Sequence, residues 1–366
     1  MVRRALTLLA ALGLLLAFAV PVAARNINSM NAYKVTNLVS DTGVGGTLED
    51  PLLVNAWGIT AGPMTPWWVA NNATSTSTLY GGSGAKFSIE VGVAGHPTGT
   101  VFNGSADFVV TSGAAHGPAR FLFATEGGQI LGWNPAVPPP APAADAIVAA
   151  TTAGAIYKGL AIGSVTSGGT TANYLYATDF HHARVDVFDG SFHPTTLTGG
   201  SFVDPGIPAG FAPFGIQNLG GTIYVTYAKQ DANAVDEING GGLGYVSAFG
   251  PDGSFIGRVA SRGALNAPWG LAWAPSEPLG THPFGKFSGD LLVGNFGNGR
   301  IHAYAPTDEG WEPRGVLKGT NHRPISIDGL WGIGFGNDAA AGSKSVLYFA
   351  AGPDDEAHGL FGSIAP

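Results

Sequence analysis

Cysteine is absent from all 366 residues, which removes disulfides, thiolate catalysis and thiolate metal sites together. Charge is also scarce. Asp, Glu, Lys and Arg make up 11% of the chain, less than half the usual share, so long helices with charged outer faces and coiled coils are excluded. The balance is acidic, −8, with no basic run beyond Arg3-Arg4, and a surface that tracks nucleic-acid phosphates is not expected. Past the N-terminus no apolar run approaches membrane length. Familiar catalytic signatures are missing as well: there is no Gly-x-Ser-x-Gly and no His-Glu-x-x-His. Gly81-Gly82-Ser83-Gly84 and Gly240-Gly241-Gly242 lack the Gly-Lys-Ser/Thr of a phosphate loop and read as flexible turns.

The first 24 residues read as an address. Arg3 and Arg4 form a positive start, Ala5 to Val20 is apolar, and Pro21-Val22-Ala23-Ala24 ends in the small residues of a cleavage site. The apolar stretch falls short of the ~20 residues a spanning helix needs, so cleavage after Ala24 and export, to the periplasm or beyond, are expected. Residues 25–366 then form a single domain, expected to be monomeric and free of the membrane. The sequons at Asn72 and Asn103 fit export but add little without a glycosylating host.

What is abundant is turn and strand: 57 glycines, 25 prolines and 45% hydrophobic residues. One unit recurs, built from a Gly-centred apolar strand, a second strand ending in small or polar residues, and a third ending in an aromatic. Copies include Trp57-Gly58-Ile59 with Trp68-Val69-Ala70-Asn71, and Trp269-Gly270-Leu271 with Leu291 to Asn295. Gly159-Leu160-Ala161-Ile162, Phe214-Gly215-Ile216 and Trp331-Gly332-Ile333 open further copies, and a weaker one holds Phe121 to Ala124. The second strands end near Asn71, Thr125, Thr178, Tyr227, Asn295 and Ala351, about 56 residues apart on average. Six such units suit an all-β, six-bladed β-propeller of four-stranded blades; a β-sandwich gives no reason for the motif to return six times. After the last unit there is room for only one more strand, Gly359 to Ile364, so Tyr33 to Val39 is expected to supply the missing outer strand and close the ring.

The run Asn55-Ala56-Trp57-Gly58-Ile59, Trp68-Val69-Ala70-Asn71-Asn72 and Ser77-Thr78-Leu79-Tyr80, together with the ending from Phe349 to Gly362, resembles a family of exported, functionally uncharacterised bacterial β-propellers. The resemblance covers nearly the whole mature chain and implies fold and export, but no reaction. Some members carry a PEP-CTERM sorting tail; this sequence ends at Pro366 without one, and sorting by that route is not carried over. More distantly the repeat is similar to NHL and SMP-30-like six-bladed propellers, which include lactonases, an amidating lyase and pure binding modules.

In a propeller the second-to-third-strand loops and the blade-to-blade loops share one face of the channel. That face gathers Asn71-Asn72, Glu126, Asp179 with His181 and His182, Lys229 to Asp231, Asn295, and Asp354-Asp355-Glu356 with His358. Such groups either converge on one polar ligand or one divalent cation such as Ca²⁺, or each satisfies the backbone of its own turn. A three-histidine zinc site among His116, His182, His322 and His358 has no common spacing to support it. Trp57, Trp269 and Trp331 share one repeat position and are expected to pack between blades, with sugar stacking as the alternative. Residues 134–144 read as an extended Pro-Ala surface loop. Residues 229–242, carrying Asp231, Asp236 and Glu237, read as either a lid over the channel or a solvated acidic loop. Three functions remain open: a module binding a small polar molecule or extracellular partner; a metal-assisted hydrolase or lyase in which Glu356 or His358 handles protons; and a structural envelope or matrix protein.

Overall fold

The computed structural model describes residues 31–276 and 283–366; the expected signal peptide lies outside them. Second strands are the most apolar stretches and are buried on both faces: Trp67–Asn71, Phe121–Thr125, Leu291–Asn295 and Leu347–Ala351 have no exposed residue. Side chains alternate along a strand, so each second strand serves two seams. Trp67 and Val69 join the cluster shared with blade 6, while Trp68 stacks on Phe121 of blade 2 at 3.9 Å. Fourth strands such as Lys86–Gly92 carry the exposed rim.

The blades follow one another in chain order; five are antiparallel sheets of four strands, and the sixth adds a short fifth strand, Leu48–Glu49, parallel to the N-terminal Lys34–Ser40. Their first strands are Ala56–Thr60, Pro97–Phe102, Tyr157–Ser167, Phe211–Leu219, Pro268–Trp273 and Leu330–Phe335. Blade 2 carries an extra hairpin, Val109–Ser112 with Ala115–Pro118, between its first two strands. In blade 6 the N-terminal Lys34–Ser40 pairs antiparallel with Leu360–Ala365, placing Lys34 opposite Ala365 and Ser40 opposite Leu360. This is the expected closure. Tyr33 strengthens it by donating its hydroxyl to the Phe284 carbonyl at 3.0 Å and packing on that ring.

Among the described residues one buried apolar cluster occupies each of the six seams between blades, and a seventh fills the channel. The first strands meet through six glycines. A methyl on Gly58 would strike the Thr98 carbonyl, one on Gly99 the Leu160 amide, and Gly159, Gly215, Gly270 and Gly332 repeat the contact around to Trp57. Glycine at the centre of each unit is therefore a closure requirement, since the inner strands approach backbone to backbone.

Two expectations are corrected. Trp57 and Trp331 stack at 3.7 Å and pack with Phe214 and Phe296 inside the channel instead of between blades, because their strand positions point inward above the glycine ring. Residues 134–144 turn back on the blade instead of extending: Val137 and Ala143 are buried, and the Ala143 carbonyl accepts the Trp133 indole N–H at 2.9 Å.

Candidate active site at the channel mouth

Each first strand places the residue before its glycine at the channel axis: Trp57, Thr98, Lys158, Phe214, Trp269 and Trp331. Five of these are aromatic or neutral, and the sixth is a lysine with 1% of its surface exposed. A buried ammonium persists only when paired. The Lys158 Nζ donates to Glu126 Oε1 at 2.6 Å and to Asp236 Oδ1 at 3.1 Å. It also stands 5.3 Å above the Trp57 ring, a cation–π placement. Burial alone would lower its pKa, but the charge of Glu126 and its hydrogen bond, with Asp236 and Glu237, hold it above the usual lysine value.

Amides extend the cluster. Asn72 donates to Glu126 Oε2 at 2.9 Å, and Asn55 donates to Glu356 Oε2 at 2.8 Å while accepting the Trp331 indole N–H at 3.0 Å. Burial pushes Glu126 up; Lys158 more than reverses this and leaves it below the ordinary glutamate value. Glu237 and Glu356 differ. Burial raises both to about 7, with neighbouring carboxylates adding to it, and Lys158 only partly offsets the rise. The mouth thus gathers four carboxyl groups around one ammonium, two of them exchanging protons near neutrality.

Glu356 is delivered by an uncommon backbone. Asp354, Asp355 and Glu356 are consecutive left-handed residues, φ 58°, 50° and 67°, each costing roughly 1–2 kcal/mol for a residue with a β-carbon. The turn is held by Glu356 N–H to the Gly352 carbonyl and His358 N–H to the Pro353 carbonyl, both 3.2 Å. Strain of this kind persists where the surroundings over-determine it, and it concentrates at working sites. The 229–242 insertion lies over the same mouth. Ile238 N–H donates to the Lys229 carbonyl at 2.7 Å, and Gln230 reaches the Phe180 carbonyl at 2.6 Å, which sets Asp236 against Lys158.

Of the residues singled out in the sequence, the structure brings Glu126 and Glu356 together. Asn71 is buried and donates to Thr76 and Thr78 of its own blade. Asp179 accepts the Ile156 and His182 amides and the His182 ring at 2.6 Å, while His181 meets the Ala234 carbonyl at 3.1 Å. Asn295 bonds Ala264, Asn266 and Asn298. These groups satisfy loop backbone. Asp354 and Asp355 are exposed. His358 turns from the channel to Asp41 at 2.7 Å, which raises its pKa and fastens the closing segment. Among the described residues no three or more His, Asp or Glu are gathered as metal ligands, so His116, His182, His322 and His358 form no such group. Reading loops alone missed Lys158; its register with Trp57, Trp269 and Trp331, in a chain so poor in charge, was the available signal.

Fold and mouth together define a six-bladed β-propeller with a buried lysine–carboxylate cluster on its channel axis. No protein-family model matches the chain. Two proteins of Acanthamoeba polyphaga mimivirus match it nearly end to end. Uncharacterized protein R648 is 33% identical over 347 residues, 92% of this chain and 81% of the relative. Uncharacterized protein L690 is 35% identical over 346 residues, 91% and 85%. The chain belongs to the family of these proteins. They are viral, which corrects the expected bacterial membership. Among solved structures, a glucose dehydrogenase superposes with a TM-score of 0.52, covering 91% of this chain and 99% of that one at 13% identity; this likeness shows the fold alone.

Proposed function

We propose that this is an exported propeller that binds a small polar ligand at the Lys158 mouth, the ligand presenting hydrogen-bond donors or a positive charge. The carrying observation is that Lys158 is already satisfied by Glu126 and Asp236, whereas Glu237 and Glu356 bring acceptor oxygens that form no ion pair with any described residue. With four carboxyl groups against one ammonium, a ligand cation would offset part of the excess negative charge. Because Glu237 and Glu356 titrate near 7, affinity for a cationic ligand should rise with pH through that value as both ionise, and level off above it. Calorimetric titration of a panel of small amines and guanidines from about pH 5.5 to about pH 8.5 checks this. Glu356→Gln should weaken binding ~10-fold or more and make the profile shallower, leaving the Glu237 step. Affinity indifferent to both pH and the substitution would end this reading.

A second reading rests on the same pKa values: a carboxyl poised near 7 on a strained turn suits a general acid–base, and a hydrolase or lyase would use Glu356 in that role. Turnover lost in Glu356→Gln with the fold intact separates it from pure binding.

Export is proposed from Arg3-Arg4 and Ala5 to Val20. Secreted protein should begin at Arg25; N-terminal sequencing that returns residues 1–24 still attached would refute cleavage.

A further inference from the structure

At the opposite end of the channel the first strands of blades 1, 4, 5 and 6 diverge around a cavity of about 650 Å³. Toward the mouth described above it narrows at Gly58, Gly99 and Gly332 to about 10 Å³, room for about one water. Between the two ends the channel is filled by the apolar cluster of Trp57, Phe214 and Trp331.

We propose that this cavity is a binding site for a neutral carbohydrate of one or two rings, independent of the Lys158 mouth. Its volume falls in the range of small-molecule sites. Among the described residues no charged side chain lines it, so a charged ligand would find no counter-ion among them to compensate its lost hydration. The walls are flat: Trp67, Tyr224, Trp273 and Phe335 all face it. Trp273 and Phe335 are half-buried, and Trp273 is braced by Tyr224 at 6.2 Å and Trp311 at 6.0 Å, so its ring is held ready at little entropic cost.

The polar groups at the cavity divide into two kinds. Asn337 is consumed by its loop, donating to the Gly62 and Thr65 carbonyls and accepting the Ala339 and Ala341 amides. Asn218 is likewise committed to the Ile162 carbonyl and the Gly221 amide. Gln217 and Thr60, in contrast, make no side-chain hydrogen bond to any described residue, and both line the cavity. A half-buried amide offering a donor and an acceptor beside aromatic planes matches a pyranose, whose C–H faces stack and whose hydroxyls both give and take hydrogen bonds.

The test uses the purified protein and a panel of neutral mono- and disaccharides, followed by saturation-transfer NMR and tryptophan fluorescence up to tens of millimolar. At least one sugar should bind, with affinity lost ~10-fold or more in Trp273→Ala and in Gln217→Ala and unchanged in Glu356→Gln. Should Trp273→Ala fail to fold, Gln217→Ala decides. Binding by no member of the panel overturns the proposal, as does binding that survives both substitutions. Occupancy by indole but by no sugar overturns it too, leaving an apolar cavity.

Discussion

Lys158→Met should cost ~3–5 kcal/mol of stability at neutral pH, because removing one partner of a buried ion pair strands the other. Glu126 is then left beside Asn72 without its Lys158 partner, and Asp236 loses its tie from the 229–242 insertion to the mouth. The sign of the pH dependence follows from Glu126, whose folded pKa lies below its ordinary value. In the wild type it therefore contributes stability above the ordinary glutamate pKa, and that contribution fades as pH falls through the lower folded value. The variant lacks the contribution, so the gap between the two proteins should be widest near neutrality and close on acidification. Urea titrations of both proteins across that range measure it. Adding Glu126→Gln to Lys158→Met should recover a substantial part of the loss, since no unpaired carboxylate remains there. Equal stability of Lys158→Met and wild type at pH 7 would show that the pair is not a structural tie.

Removing residues 1–41 should abolish soluble monomer. The deletion strips Lys34–Ser40 from the edge of Leu360–Ala365, leaving unpaired backbone groups on a strand that templates aggregation. It also removes Tyr33, which ties the closing strand to blade 5 through Lys318 and Phe284, and Asp41, the partner of His358. Size-exclusion chromatography with thermal melting provides the readout, and a synthetic peptide of residues 31–41 supplied in trans should restore part of the monomer. A truncated protein that remains monomeric and melts like wild type would show that closure does not depend on this strand.

Much of the architecture was legible because burial on both faces writes a continuous apolar run, and six runs returned at similar intervals. Second strands end at Asn71, Thr125, Asp179, Lys229, Asn295 and Ala351, within two residues of the positions read from the repeat. The closing strand was legible for a different reason: Tyr33 to Val39 alternated without a partner while the last unit lacked a strand. The site was legible only in part. Its face was found through the loops, which located Glu126 and Glu356, but side-chain direction at a strand end was not. Asn71 and Asn72 are neighbours, yet the first bonds within its blade and the second meets Glu126. Lys158 escaped because its partners Glu126 and Asp236 come from other blades, and no local pattern joins residues so far apart along the chain.

The six glycines at the inner strands have a bearing on how this architecture changes over evolutionary time. Backbone contact at the hub leaves no room for an added side chain at any of these positions, so variation is pushed outward. The extra hairpin of blade 2, the Pro-Ala segment and the 229–242 insertion all lie in connections outside the hub. Such a molecule resembles a wheel with a fixed bearing and exchangeable spokes: loop content at either mouth can be rewritten while the number of blades stays at six.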